Sequence, residues 1–465
     1  MKTLIKMNQL KFVIPAKVGI QTMIINQKDS CLCRNDNRLK SYLLFNTLKF
    51  AAGFLILLFS VNTTAQETLS LNECYSLVKK NYPLAKQNEL FAKQNTIDKE
   101  IIKTKKLPKL DFTAQATYQS DVIEIPVSFP GGSIEPPNKD QYKTTISLNQ
   151  LIYDGGLINA STKVKEATLK TQQKNVEVSL YQLNSKVNQL YFTILLLQEK
   201  KDLLDAKKAQ LVSKLKEVKA GIEFGAILPS SDNVLEAELL KIDQQYSEIN
   251  QNKISLVQTL SSIIGKTIST NIMLAKPVIS ANLTTAIKRP ELDLFQLQKE
   301  QINASERLIA KKNSPKLVGF ATGGYGNPGL NMLDNSFQTY YVAGLKLNWN
   351  IFDWKANKKE RKSLEINKDF VNNQQEIFRL NTNIALNQQQ TEINKITSFI
   401  KSDKQIIELR EKVLKTASSQ LKNGVITASA YITEFTNLYE AKNNLSTHKI
   451  ELLSAKANYK TTKGN

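Results

Sequence analysis

The chain is poor in the residues that carry chemistry. One histidine and three cysteines among 465 residues leave little to build a Cys/His metal centre, a Cys-His dyad or a Ser-His-Asp triad. Cys31 and Cys33 precede the expected cleavage point described below, so the exported chain keeps Cys74 alone, which has no internal disulfide partner. Gly323, Gly324 and Gly326 lie in a strand-like segment and lack the Lys-Ser/Thr that a phosphate-cradling loop needs. No cofactor and no enzymatic activity are expected. Glycine and proline are also scarce, at 17 and 12, too few to punctuate a set of compact domains, so long uninterrupted elements are the natural reading.

Charge of one sign is abundant. The formal net charge is +21, which raises nucleic acid as a partner. Nine Lys/Arg and two Asp/Glu fall in residues 1–65, and the remaining excess is spread along helical segments with no compact basic cluster interleaved with aromatics. It reads as solvated helix faces, and no nucleic-acid partner is expected.

One apolar run stands out, from Phe50 to Val61, preceded by Lys40 and Lys49 and followed by Thr63-Thr64-Ala65. It is short for a membrane span, and the small residues after it suit a signal peptidase, so residues 1–65 read as an extension plus a secretory signal cleaved after Ala65. An inner-membrane anchor is the alternative. The stretch before residue 39 is odd ahead of such a signal and suggests an over-extended start.

The rest of the chain repeats itself. Asn149 and Asn348 set an offset of 199 at which Leu148, Asp154, Lys163, Glu166, Asn188, Gly225 and Leu239 meet identical residues. Upstream the offset becomes 207, matching Pro83, Pro108, Lys109, Leu110 and Tyr118 to Pro290, Pro315, Lys316, Leu317 and Tyr325. The predicted repeats are 66–287 and 288–465.

Each repeat contains a pair of alternating strands, 110–118 with 142–152 and 317–325 with 341–351, the last including Trp349 and Ile351. Their length suits a tilted transmembrane strand, and tyrosines at their ends suit an interfacial girdle. A soluble antiparallel sheet with one wet face would show the same alternation. Four strands cannot close a barrel, so strands that cross a membrane require other subunits.

Behind each strand pair, apolar residues settle into 3.5-residue spacing, as in Leu183, Val187, Leu190, Ile194 and Leu197, with Lys201 and Lys208 taking two seam positions. This is the seam of a coiled-coil hairpin. The turns carry Phe224, Gly225 and Pro229 in one repeat and Asn423, Gly424 and Ala428 in the other. His448 lies on a seam and reads as a packing residue. Ser70 and Glu73 form a capping box opening a short helix that runs to Asn81-Tyr82-Pro83, on which Cys74 packs.

The signal, the opening Leu69-Ser70-Leu71-Asn72-Glu73-Cys74 with Asn81-Tyr82-Pro83, the two strand-strand-hairpin copies and the glycine tips together resemble the TolC-type outer-membrane efflux protein family over residues 67–463. The resemblance implies a mixed α/β membrane protein, a homotrimer whose four strands per chain complete a twelve-stranded β-barrel while the hairpins form a periplasmic tunnel, or α-barrel. The implied role is a passive exit duct of tripartite efflux or type I secretion in the outer membrane of a Gram-negative bacterium. The implied partners are a periplasmic adaptor (membrane fusion) protein, an inner-membrane transporter and the lipid bilayer. It nominates Asp232 and Glu236 as aperture residues, with Tyr431 and Glu434 in the second repeat. It also nominates Phe224, Gly225, Asn423 and Gly424 as adaptor-contacting tips. Helix N-terminal acids stabilised by the dipole are the plain alternative for the acidic pair. For the whole chain, the alternatives are a periplasmic coiled-coil adaptor or scaffold without a barrel, and a cytoplasmic nucleic-acid binder if the signal is false.

Overall fold

A computed structural model describes residues 68–464 apart from 125–127, 130–131, 134–135 and 280–285, with the backbone alone at 128–129 and 132–133. The chain divides after Ala65, and the described residues belong to the unit Gln66–Asn465. The export signal lies outside the described residues.

Helix α1 (Leu71–Asn81) starts where Ser70 accepts the Glu73 N–H at 3.2 Å, and Lys79 and Lys80 close its last turn. A short 3-10 turn, Pro83–Lys86, leads into α2 (Gln87–Thr104). Strands β1 (Lys109–Tyr118) and β2 (Asp140–Tyr153) follow, then the hairpin of α3 (Leu157–Glu223) and α4 (Ser231–Ile264). The second half repeats the order with α5 (Pro290–Lys312), β3 (Lys316–Asn327), β4 (Gln338–Asn348), α6 (Ala356–Lys422) and α7 (Ala428–Lys463). Helices α3 and α6 have 67 residues each, about 100 Å at 1.5 Å per residue. Among the described residues no helix is long and apolar enough to cross a membrane.

The four strands form one antiparallel sheet in the order β1-β2-β3-β4. Lys109 pairs with Asn149 in the first hairpin and Lys316 with Asn348 in the second. These are the residues related by offsets 207 and 199, so both pairs share one register and the outer connections absorb the difference in length. Strand β4 stops at Asn348, short of the expected Ile351. Its partner β3 begins at Lys316 directly after Pro315, which has no N–H to extend the ladder. Trp349 and Ile351 therefore leave the sheet and are exposed.

The seam spacing did not reveal two helices, α2 and α5, each of which leads directly into the first strand of its pair. Helix α2 is held on α3 by two ion pairs, Lys99–Glu166 and Lys165–Asp98, both 3.0 Å. Helix α5 packs between α3 and α6. Near the sheet the helices run α2-α3-α5-α6, the same order as the strands they adjoin; farther away they run α4-α3-α7-α6.

The main core lies where α1, α3, α4 and α7 meet, around Tyr191, Ile194, Leu195, Leu260 and Cys74. Tyr191 donates to the Leu69 and Ala275 carbonyls, tying down the bridge of Thr68–Leu69 with Met273–Leu274. Burial pushes the Cys74 thiol up to about 12, so it stays protonated at neutral pH. The seam lysines find partners on α4: Lys208 pairs with Asp243, and Lys201 lies 5.3 Å over the Tyr246 ring. His448 packs on Phe399, with its Nδ1 2.6 Å from Asp403.

Candidate functional site

At each tip the same motif ends the long helix. The N–H of Ala226 reaches the Gly221 carbonyl, and the N–H of Val425 reaches that of Gln420, both at 2.8 Å. Between them Gly225 and Gly424 hold φ of +71° and +69°, the left-handed turn a helix stop requires and glycine tolerates best. A Cβ on Gly424 would meet the Ala226 carbonyl oxygen at 3.0 Å, so the two tips lie side by side. Phe224 at the tip is 85% exposed, and Leu228 and Val425 are exposed beside the glycines. Asn423 caps α6 through its N–H to Ser419. This leaves apolar knobs unpartnered on a rigid base built from Leu211, Val218, Leu235, Leu421 and Phe435.

The aperture candidates divide. Asp232 sits in the first turn of α4, half-buried, accepting the Asn233 N–H at 2.9 Å. One turn on, Glu236 is exposed and pairs with Lys219 across the hairpin at 2.7 Å. Glu434 pairs with Arg410 at 3.1 Å. Tyr431, by contrast, is 1% exposed and stacks on Phe435 under the Lys214 ammonium. Burial, with the Glu217 charge adding to it, pushes its phenol up to about 12. Within the chain Tyr431 is thus a neutral core residue of the tip, placed there because its position faces the hairpin seam.

The seam spacing did not reveal Lys207 and Glu238, whose side chains, 8% and 10% exposed, form a 2.9 Å ion pair between α3 and α4. The signal was an acid and a base at seam-adjacent positions of facing helices. Among the described residues no cluster of three or more metal-ligating side chains forms.

The second surface is the pair of open edges. Strand β1 and helices α2 and α4 lie on one edge, and β4 and α6 on the other. Apolar residues are exposed along both. Leu90, Ile97 and Ile101 recur on α2, and Ile366, Phe370, Ile377, Leu380 and Ile384 recur at helical spacing on α6. The sheet is exposed on both faces, with Leu110 and Phe112 on β1 and Leu345 and Leu347 on β4 among its open apolar residues.

An exposed apolar sheet is continued by a layer of long helices that is open at the same two edges. Residues 98–266 match the family described as outer membrane efflux protein. The fold is similar to the outer membrane protein VceC of Vibrio cholerae, at 14% identity and a TM-score of 0.61, over 85% of this chain and 96% of that one. It is similar to the CmeC outer membrane channel of Campylobacter jejuni, at 16% identity and 0.58, over 85% of each chain. It is also similar to the open state of the MtrE outer membrane channel of Neisseria gonorrhoeae, at 13% and 0.58, over 85% and 89%. No curated protein matches the sequence. The resemblance to TolC-type outer-membrane efflux proteins drawn from the residues holds in both the family segment and the fold.

Proposed function

We propose that the chain is one third of an outer-membrane channel-tunnel, a passive exit duct for efflux or type I secretion, made of two repeats, 66–287 and 288–465. The observation that carries this reading is that sheet and helical layer are open at the same two edges in the same order. Unpaired strand edges are costly in lipid. Head-to-tail association of copies joins β4 of one to β1 of the next and, in the same step, covers the exposed α6 stripe with the α2 stripe. Leu90 and Phe370 each lie fourteen residues from the strand end of their helix, so they come to similar depth. Three copies give twelve strands, within the range of closed membrane barrels.

The apolar tips around Phe224, Gly225, Asn423 and Gly424 then face a periplasmic adaptor linked to an inner-membrane transporter, which supplies the energy. Asp232 and Glu236, repeated by three-fold symmetry, form an acidic ring that favours cations at the periplasmic aperture. Glu434 acts with Arg410 as a tie that holds the wall. Tyr431 contributes packing behind the aperture.

Planar-bilayer recording tests the duct. The purified protein is expected to give discrete, long-lived, cation-preferring conductance steps, with Asp232→Ala/Glu236→Ala raising leakage or reducing the cation preference. Unchanged conductance and selectivity in that variant removes the acidic pair from the aperture. A protein that never inserts favours the periplasmic scaffold.

A further inference from the structure

The places where strands meet helices gather a charge that looks dispersed along the chain. Lys103, Lys105, Lys106 and Lys109 close α2 and open β1, with no acid among residues 103–109. Lys311, Lys312 and Lys316 join α5 to β3, again with no acid among residues 311–316. Lys355, Lys358, Lys359, Arg361 and Lys362 lead into α6 against Asp353 and Glu360. Salt bridges engage Lys312 with Glu360 and Lys362 with Glu365; the others in these segments form none among the described residues. Asp353 accepts the Asn357 N–H, and Asp154 at the β2–α3 junction accepts those of Gly156 and Ile158, so both carboxylates are turned onto helix ends. The opposite end of the sheet has the other sign. Among the described residues its connections carry Asp121, Glu124 and Asp334 against Lys139.

The same basic junction holds both tryptophans of the chain, Trp349 and Trp354. Trp354 is 81% exposed and packs edge-to-face on exposed Phe352 at 4.8 Å. Its backbone supplies a second, independent observation. Trp354 and Lys355 hold φ of +55° and +63°, at the positions where the first repeat has Gly155 and Gly156 at +66° and +85°. Side chains seldom adopt this backbone, and glycine fits it freely. An aromatic ring and a cation are kept here against backbone preference, which points to work done by the side chains.

We propose that this junction is a collar for anionic phospholipid, its rings seated at the acyl–headgroup boundary and its lysines reaching phosphates of the periplasmic leaflet. The proposal rests on the reading above that the sheet crosses the outer membrane. Rings with an apolar body settle at that boundary, and flexible lysine stems lie along apolar surface while their ammonium groups reach headgroups. Basic segments beside a membrane favour anionic over zwitterionic lipid and lose that preference with salt.

Both tryptophans report from the collar itself. The protein is reconstituted in phosphatidylcholine vesicles in which about one lipid in five is brominated phosphatidylglycerol or, in parallel, brominated phosphatidylcholine. At low salt the glycerol lipid is expected to quench tryptophan fluorescence about twice as strongly, and the two become equal near about 0.5 M salt, where charges are screened within a few ångström. Lys355→Gln/Lys358→Gln/Lys359→Gln, which removes the lysines nearest the tryptophans, is expected to weaken the preference and leave quenching by brominated phosphatidylcholine unchanged. Equal quenching at low salt overturns the collar and leaves the membrane sheet standing. Absence of quenching by either lipid overturns both. The salt series uses the unaltered protein, so it decides the matter even where a variant fails to fold.

Discussion

Single residues set where the long helices stop. Gly424 holds a left-handed turn with a carbonyl oxygen 3.0 Å from where its Cβ would be, so Gly424→Ala is expected to cost about 1–2 kcal/mol. Hydrogen exchange should then quicken through the second tip and stay unchanged in the main core. Lys355 is the reverse case, a side chain where glycine would relax the turn; Lys355→Gly should stabilise the fold by about 1 kcal/mol, read as a higher thermal midpoint. The buried Lys207–Glu238 pair predicts that Glu238→Ala, which strands an ammonium in the seam, costs about 3 kcal/mol or more. Replacing both partners with Met and Leu should recover most of that loss in the same melting experiment.

Acid acts on the helix ends. Burial alone would raise the Asp154 carboxyl, but the N–H groups of Ile158 and Gly156 outweigh it and hold it below the usual carboxylate range. A depressed folded-state pKa gives stability that is full above about pH 4, the unfolded value, and is lost as pH falls through the folded one. The melting advantage of the native protein over Asp154→Asn should therefore be complete at neutral pH and vanish on acidification. An advantage that grows as pH falls would contradict this assignment.

At the scale of elements, what the sequence reveals depends on whether a residue's partner is in the same chain. The hairpins were legible because Leu183, Val187, Leu190 and Ile194 pack within the chain and so repeat at 3.5-residue spacing. The strands were legible because Pro108 and Pro315 mark their starts and alternation does the rest. Strand β4 ran short because its end depends on where β3 starts, which is a property of the pair. Helices α2 and α5 were not legible. Leu90, Ile97 and Ile101 on α2 are exposed within one chain, and α5 spreads its contacts between α3 and α6, so neither carries a single clean stripe. The tip glycines were evident as helix stops. Tyr431, aligned with Asp232 by the offset of 199, shows where alignment alone falls short: the two copies share a backbone position, and the hairpin core claims one of the side chains. The basic collar escaped a linear reading because its lysines lie in separate segments that meet only when the sheet forms.

At the scale of the whole molecule, the central claim is that three copies close one wall from the membrane to the tips. The open edges β1 and β4 and the exposed apolar stripes of α2 and α6 are the surfaces on which neighbouring copies are proposed to meet. The most direct test is a cysteine pair on those edges, Leu90→Cys with Phe370→Cys, treated with a bis-maleimide in isolated membranes. The native Cys74 is buried with its thiol raised and gives an unreactive background. The account predicts a ladder of one, two and three linked chains in the outer-membrane fraction, with three as the ceiling. A soluble periplasmic single chain, or a ladder with another ceiling, would contradict it.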